Sequence, residues 1–286
     1  MKNVIIIGNG PAGISAALYT MRANIKTTVI GRDLGALQKA DKIENYYGFA
    51  EPISGKELVN AGIAAAKRLG CEMITDEVVS IGFEEKLTVI TKNKQYPADA
   101  IILATGTSRS APKIQGIKEY EGKGISYCAV CDAFFYRGKD VCVLGNGDYA
   151  LHEAQELVAV ANSVTILTNG EELATTIPCN IQVNKKKIKA FEGEQTIQNV
   201  LFEDGETLAT SGIFIAVGVA SSSDLAKKLG AQTEGVTITV NENMATNIPG
   251  LYAAGDCVGG LLQISKAVSD GAKAGTQVIK YIRGNS

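Results

Sequence analysis

The chain is poor in the features that mark a nucleic-acid, membrane or zinc protein. Its 286 residues hold one histidine, His152, and 28 Lys and Arg against 30 Asp and Glu, for a net charge of −2. Phosphate backbones are held by clustered Lys and Arg, so this balance argues against nucleic acid as the main partner. No apolar run approaches the roughly 18 residues that span a bilayer. The opening Val4-Ile5-Ile6-Ile7 meets glycine too early to be a signal peptide. A cytoplasmic protein without a membrane partner is the expectation. Cysteine is sparse: six residues, at 71, 128, 131, 142, 179 and 257, of which only Cys128 and Cys131 lie close together. That is not the framework of a disulfide-stapled secreted domain. A zinc site would need two more soft ligands at matching spacing, so no metal is expected. Arginine is missing altogether between residues 138 and 282.

What is present has the balance of a globular protein, 45% hydrophobic and 20% charged, long enough for two domains. The run Val4–Ile7 reads as a strand buried on both faces. It leads into Gly8-Asn9-Gly10-Pro11-Ala12-Gly13, a G-x-G-x-x-G, followed by a helix over about 12–23 and a strand over 27–30. Glycines there allow a tight turn and bring backbone N–H groups to a pyrophosphate at the helix N-terminus. The acidic residue usual at the end of the second strand is replaced by Gly31, so the cofactor's identity rests on other segments. Ile101–Leu103 runs into Ala104-Thr105-Gly106, and Gly250-Leu251-Tyr252-Ala253-Ala254-Gly255-Asp256 ends in an acid able to accept from a ribityl chain; Gln263 and Ile264 open a last helix. These segments point to FAD. Because they bracket the chain, the sequence predicts an α/β fold of two Rossmann-like three-layer domains, the second inserted in the first. The boundaries are 1–110 and 243–286 for the FAD-binding domain and 111–242 for the insertion.

The insertion repeats the pattern: Val141–Leu144, then Gly145-Asn146-Gly147-Asp148-Tyr149-Ala150, a helix to about Ala161 and a strand over 164–167. Recognition of a 2′-phosphate calls for arginines after that strand, and NAD for an acid. The chain offers Thr168-Asn169-Gly170 and then Glu171-Glu172, which reads best as an exposed acidic helix start. Lys185-Lys186-Lys187 with Lys189 reads as a solvated edge, with a docking patch for an acidic protein as the minority reading. Cys128-Ala129-Val130-Cys131-Asp132 carries the chemistry. A C-x-x-C in a reducing compartment is more often catalytic than structural. One thiolate attacks a partner's disulfide and the other resolves the mixed disulfide. Asp132 is placed to exchange a proton with the departing thiolate, or to cap the next helix through its side chain. Cys71, Cys142, Cys179 and Cys257 read as small buried hydrophobes.

Taken together, Gly8–Gly13, Ile43-Glu44-Asn45-Tyr46-Tyr47-Gly48-Phe49, the Ala-Thr-Gly strand, Cys128 to Arg137 and Gly250–Asp256 resemble the low-molecular-weight thioredoxin reductases over essentially the whole chain. The resemblance implies FAD in the outer domain, contacted by Asn9, Gly10, Pro11, Ala12, Asn45, Val79, Asp256, Gln263 and Ile264. It also implies Cys131 next to the flavin, Cys128 attacking thioredoxin, Asp132 as acid, a homodimer, and an inserted domain that rotates. Departures gather on the nicotinamide side. Leu34-Gly35-Ala36-Leu37 stands for Gly-Gly-Gln-Leu, Leu262 for arginine, Leu167-Thr168-Asn169 for His-Arg-Arg, and Gly218-Val219-Ala220-Ser221 lacks proline. The chain is in this respect most similar to the ferredoxin-dependent, pyridine-nucleotide-independent flavin thioredoxin reductases of clostridia. A ferredoxin near −400 mV donating to a thioredoxin near −270 mV releases roughly 6 kcal/mol per disulfide. An NAD(P)H-dependent reductase, a flavin dithiol oxidase and a non-catalytic redox sensor are the competing expectations.

Overall fold

The apolar run at the start of the chain becomes the middle strand of a five-stranded parallel sheet. In the computed structural model, which describes residues 2–106 and 112–284, this strand, β1 (Asn3–Ile7), leads through α1 (Pro11–Arg22) to β2 (Lys26–Gly31). Next come α2 (Gly55–Arg68), β3 (Glu72–Thr75), an antiparallel ribbon of β4 (Val78–Phe83), β5 (Leu87–Thr91) and β6 (Gln95–Ala98), and then β7 (Ala100–Leu103). β1 pairs in parallel with β2 on one side and β7 on the other. Val4–Ile7 and Ala100–Leu103 are buried throughout, as continuous apolar runs must be when both sheet faces are covered.

The second unit holds a parallel sheet of its own. Its elements are β8 (Ile125–Ser126), α3 (Ala129–Asp132), β9 (Asp140–Leu144), α4 (Asp148–Val158), β10 (Ser163–Leu167) and β11 (Gln182–Asn184). An antiparallel ribbon of β12 (Ile188–Gly193), β13 (Ile197–Phe202) and β14 (Thr207–Ala209) precedes β15 (Gly212–Ile215). The sheet runs β11-β10-β9-β15-β8, so β8, just ahead of the cysteine pair, lies on an edge.

The chain then returns to the first unit through α5 (Ser222–Lys228), the hairpin β16 (Thr233–Glu234) and β17 (Thr237–Ile238), β18 (Leu251–Ala253) beside β7, and α6 (Ile264–Gly284). Residues 1–108 with 221–286 form one compact unit and 109–220 the other. The expected crossing between 110 and 111 lies outside the described residues. The return comes at Ser221 rather than 243. There Ser221 Oγ accepts from Asp224 N at 3.1 Å, starting α5, and Leu225 and Ala226 are fully buried.

α6 closes on α1 through small residues. A Cβ on Gly271 would lie 2.0 Å from Ala12 O and one on Gly275 2.8 Å from Ala16 O, so only glycine allows this approach. Ser15 Oγ donates to Val268 O at 2.7 Å across the same seam. Among the described residues no helix is long and apolar enough to cross a membrane, and no group of three or more His, Cys, Asp or Glu could hold a metal.

Candidate active site and cofactor cradle

The first glycine turn is shaped by what its neighbours leave no room for. Gly8, at φ +112°, would place a Cβ 2.2 Å from Ala104 O, and Gly13 would place one 1.9 Å from Gly8 O. Ala104 N donates to Ile7 O and Gly8 N to Ile30 O, both at 2.8 Å, so the turn and the Ala-Thr-Gly segment are pressed together. Gly10 differs: nothing lies within 4 Å of where its Cβ would be. It caps α1 without a side chain and Pro11 follows, leaving an open helix start with backbone donors. The missing acid at Gly31 has a steric cause, since a Cβ there would meet the Asn9 side chain at 2.6 Å.

Gly255, at φ +84°, brings Asp256 to the same place: its Cβ would sit 2.9 Å from Ala12 Cβ. Asp256 is half-buried and its carboxylate has no partner among the described residues. Thr105 N and Oγ1 meet Ser222 Oγ at 3.2 and 2.6 Å, and Gly106 follows at φ +79° with open space around it. Asn45 Nδ2 donates to Gln263 Oε1 at 3.1 Å, joining residues 218 apart, with Ile264 opening α6 beside them. Val79 is buried in β4, where the ladder to β5 shifts register, so a ligand would meet its backbone rather than its side chain. An open helix start and a neighbouring unpartnered acceptor suit the pyrophosphate and hydroxyls of FAD. The sequence reading assigned no role to Ser222, Lys266 or Asp270. The last two carried a signal in their opposite charges at i,i+4.

In the second unit Cys128 and Cys131 form a disulfide with Cα atoms 5.3 Å apart. Cys128 caps α3, accepting from Cys131 N at 3.2 Å; it is 4% exposed, whereas Cys131 is open to solvent. Asp132 does not cap the turn that follows. Its Oδ2 accepts from Ser126 Oγ at 2.6 Å, because Ser126, ending β8, reaches it first. Ser126 Oγ also accepts from Cys128 N at 3.1 Å, so one hydroxyl links the acid to the cysteine turn. Glu153, 1% exposed on α4, accepts from Ala129 N at 2.7 Å and holds the start of α3. Neither Ser126 nor Glu153 stands out in the sequence, although an acid on the buried face of α4, among Ala150, Ala154 and Leu157, is itself a signal. Tyr136 packs edge-on against Phe214, and burial first, then the charge of Asp132, raises its pKa.

Of the remaining cysteines, burial pushes the thiols of Cys71 and Cys257 to about 11 and of Cys142 to about 12, so they stay protonated and inert. Cys179 departs from expectation. It is exposed, because Pro178-Cys179-Asn180 lies outside any helix or strand.

The second glycine turn copies the backbone of the first. A Cβ on Gly145 would lie 2.2 Å from Ala216 O, and Gly145 N donates to Leu167 O at 3.0 Å. Its mouth differs. Asn146 Nδ2 donates to Glu172 O at 2.9 Å and Asn146 O accepts from Ala174 N at 2.8 Å, so the loop after β10 is tied onto the turn. Glu171 sits in that exposed loop and starts no helix, since Glu171 N closes a turn onto Thr168 O instead. In the lysine run, Lys185 pairs with Glu172, and Lys186 with Asp204 and Glu206.

The model of the pyridine nucleotide-disulphide oxidoreductases matches residues 2–271. The thioredoxin reductase of Peptoclostridium acidaminophilum is 36% identical over 100% of this chain and 99% of its own. The chain belongs to the thioredoxin reductase family. Among solved structures, the atypical thioredoxin reductase TRi from Desulfovibrio vulgaris Hildenborough is similar at 42% identity and TM-score 0.94, covering 99% of both chains. A ferredoxin-flavin thioredoxin reductase from Clostridium acetobutylicum matches at 30% identity and TM-score 0.72, covering 99% of this chain and 98% of its own. Thioredoxin reductases are flavoprotein disulfide oxidoreductases with FAD as their typical cofactor and a redox-active disulfide, and the C-x-x-C of this chain is closed as the Cys128–Cys131 bridge.

Proposed function

We propose that this thioredoxin reductase draws its electrons from reduced ferredoxin rather than from a nicotinamide nucleotide. The observation that carries the reading is the state of the second glycine turn. Asn146 already serves the loop 168–174 through side chain and backbone, and that loop offers no arginine. A dinucleotide would have to displace those bonds and would find no guanidinium in exchange. The likeness to a ferredoxin-flavin thioredoxin reductase supports the same donor.

In this reading the backbone of Gly8–Gly13 and the start of α1 hold the pyrophosphate of FAD. Asp256 and the Asn45–Gln263 pair orient the rest, with Ala104–Gly106, Gly255, Val79 and Ile264 completing the cradle. When bound, FAD supplies a group that accepts electrons singly and delivers them in pairs. Reduction of the Cys128–Cys131 bridge breaks its S–S bond and leaves two thiols. One thiolate then attacks the thioredoxin disulfide, and the other expels thioredoxin as its dithiol while the bridge re-forms. Asp132, held by Ser126, donates the proton that the departing sulfur takes up. Cys128 as the attacking sulfur requires its uncovering, since Cys131 is the exposed one here. Phe134 and Phe135, 71% and 67% exposed beside Val130, give a protein substrate an apolar landing next to the bridge. A homodimer belongs to the same reading, and sedimentation of the holoenzyme checks it.

One observation favours NADPH as a second reading. The turn after β11 sets the stem of Lys187 against Gly170 and Lys185 against Glu172, so cations absent after β10 in sequence are supplied by the segment that follows the neighbouring strand. Anaerobic thioredoxin reduction with ferredoxin or NADPH as the donor separates the two. Ferredoxin-driven turnover with no flavin bleaching by NADPH is expected, and rapid bleaching by NADPH at modest concentration overturns the proposal.

A further inference from the structure

Lys266 and Asp270 stand one turn apart on α6 as an ion pair, Nζ to Oδ2 2.8 Å, with side chains 21% and 11% exposed. Both close on one short stretch of backbone. Lys266 Nζ donates to Gly255 O at 2.9 Å and to Gly259 O at 2.5 Å, while Asp270 Oδ2 accepts from Gly255 N at 3.2 Å. An ammonium has three N–H donors, and here all three have acceptors. The pair thus grips residue Gly255 by both its N–H and its C=O and reaches the far end of the single turn Asp256–Val258.

That turn needs a grip. It is bounded by Gly255 and Gly259, at φ +84° and +71°, with Gly260 following at φ +77°. Glycine gives this backbone its shape but also the largest freedom to leave it. Asp256 sits inside the turn, and its carboxylate has no partner among the described residues to fix its direction. Only the backbone on either side decides where it points.

We infer that Lys266, together with Asp270, is the positioning residue for Asp256, holding its carboxylate ready for the cofactor hydroxyls before FAD arrives. The inference rests on the FAD cradle described above. Lys266 acts through the backbone and touches no reacting atom. The affinity it contributes is preorganisation, which spares the ligand the cost of ordering the turn.

A double-mutant cycle on the full chain, freed of flavin and titrated with FAD by fluorescence quenching, tests this. Lys266→Met keeps the stem and removes the donors. It is expected to raise the Kd for FAD at least tenfold, and Lys266→Arg to recover most of the loss. In an Asp256→Ala background Lys266→Met is expected to change the Kd by less than twofold. A tenfold loss in both backgrounds would make Lys266 merely structural, and a Kd within twofold of the parent in the single variant would remove its role; either result overturns the inference. Should Lys266→Met fail to fold, the same cycle with Asp270→Asn decides. If the parent chain does not bind FAD at all, the cradle reading fails instead, which is a distinguishable outcome.

Discussion

Two glycine turns in this chain share one backbone and differ in what lies across their mouths. In the first, Gly8 meets Ala104 O, and in the second Gly145 meets Ala216 O, each at 2.2 Å from the Cβ it lacks. The first turn leads to open space at Gly10 and to an Asp256 whose carboxylate has no partner among the described residues. The second is bound by its own loop through Asn146. A strand–turn–helix is thus a shape kept by steric need, whereas nucleotide binding depends on whether the donors at its mouth are left unclaimed. In the proposed reading the second unit carries its chemistry elsewhere, on the cysteine turn after the edge strand β8.

The sharpest test of that division is the bridge. Cys128→Ser or Cys131→Ser is expected to abolish thioredoxin reduction while the flavin cradle, in the other unit, keeps its FAD, read from the visible spectrum of the purified variant. Asp132→Asn is expected to cost about 10²- to 10⁴-fold in kcat, the usual worth of a positioned acid–base group, with FAD content unchanged. Paired alanines then compare the turns directly. Neither Gly10 nor Gly147 has a positive φ, and neither has a close neighbour where a Cβ would go. Gly10→Ala is expected to fold and to weaken FAD binding by about tenfold or more, whereas Gly147→Ala leaves ferredoxin-driven kcat and KM unchanged. A marked loss in the second variant would mean that its turn holds a nucleotide after all. Asn146→Ala, which removes the tie from side chain to loop, is expected to cost about 1 kcal/mol of stability in denaturant unfolding and little activity. The smallest effect is expected for Lys185→Met with Lys187→Met, a change within about twofold in ferredoxin-driven turnover. A selective loss with NADPH as donor would favour the second reading.

Much of the architecture was legible because it follows from local pattern. Val4–Ile7 and Ile101–Leu103 are apolar throughout, and only a strand covered on both faces accommodates such runs. The site was legible in part. Cys128, Cys131 and Asp132 lie within five positions, so their proximity could be read from spacing. Ser126 and Glu153 could not, because an edge strand and a helix carry them to the cysteine turn from outside the motif. The return at Ser221 was missed for the same reason: no composition change marks it, and only the burial of Leu225 and Ala226 in the first unit reveals it.

By itself the sequence determined the two parallel sheets, the glycine turns between strand and helix, and the cysteine pair, since each depends on residues within a few positions of one another. Only the tertiary structure decided which turn stays open, what holds Asp256, and which carboxylates and hydroxyls surround the bridge. Those outcomes depend on groups outside any one motif, such as Glu153 at Ala129 and Glu172 at Asn146, brought into contact by packing that no local pattern encodes.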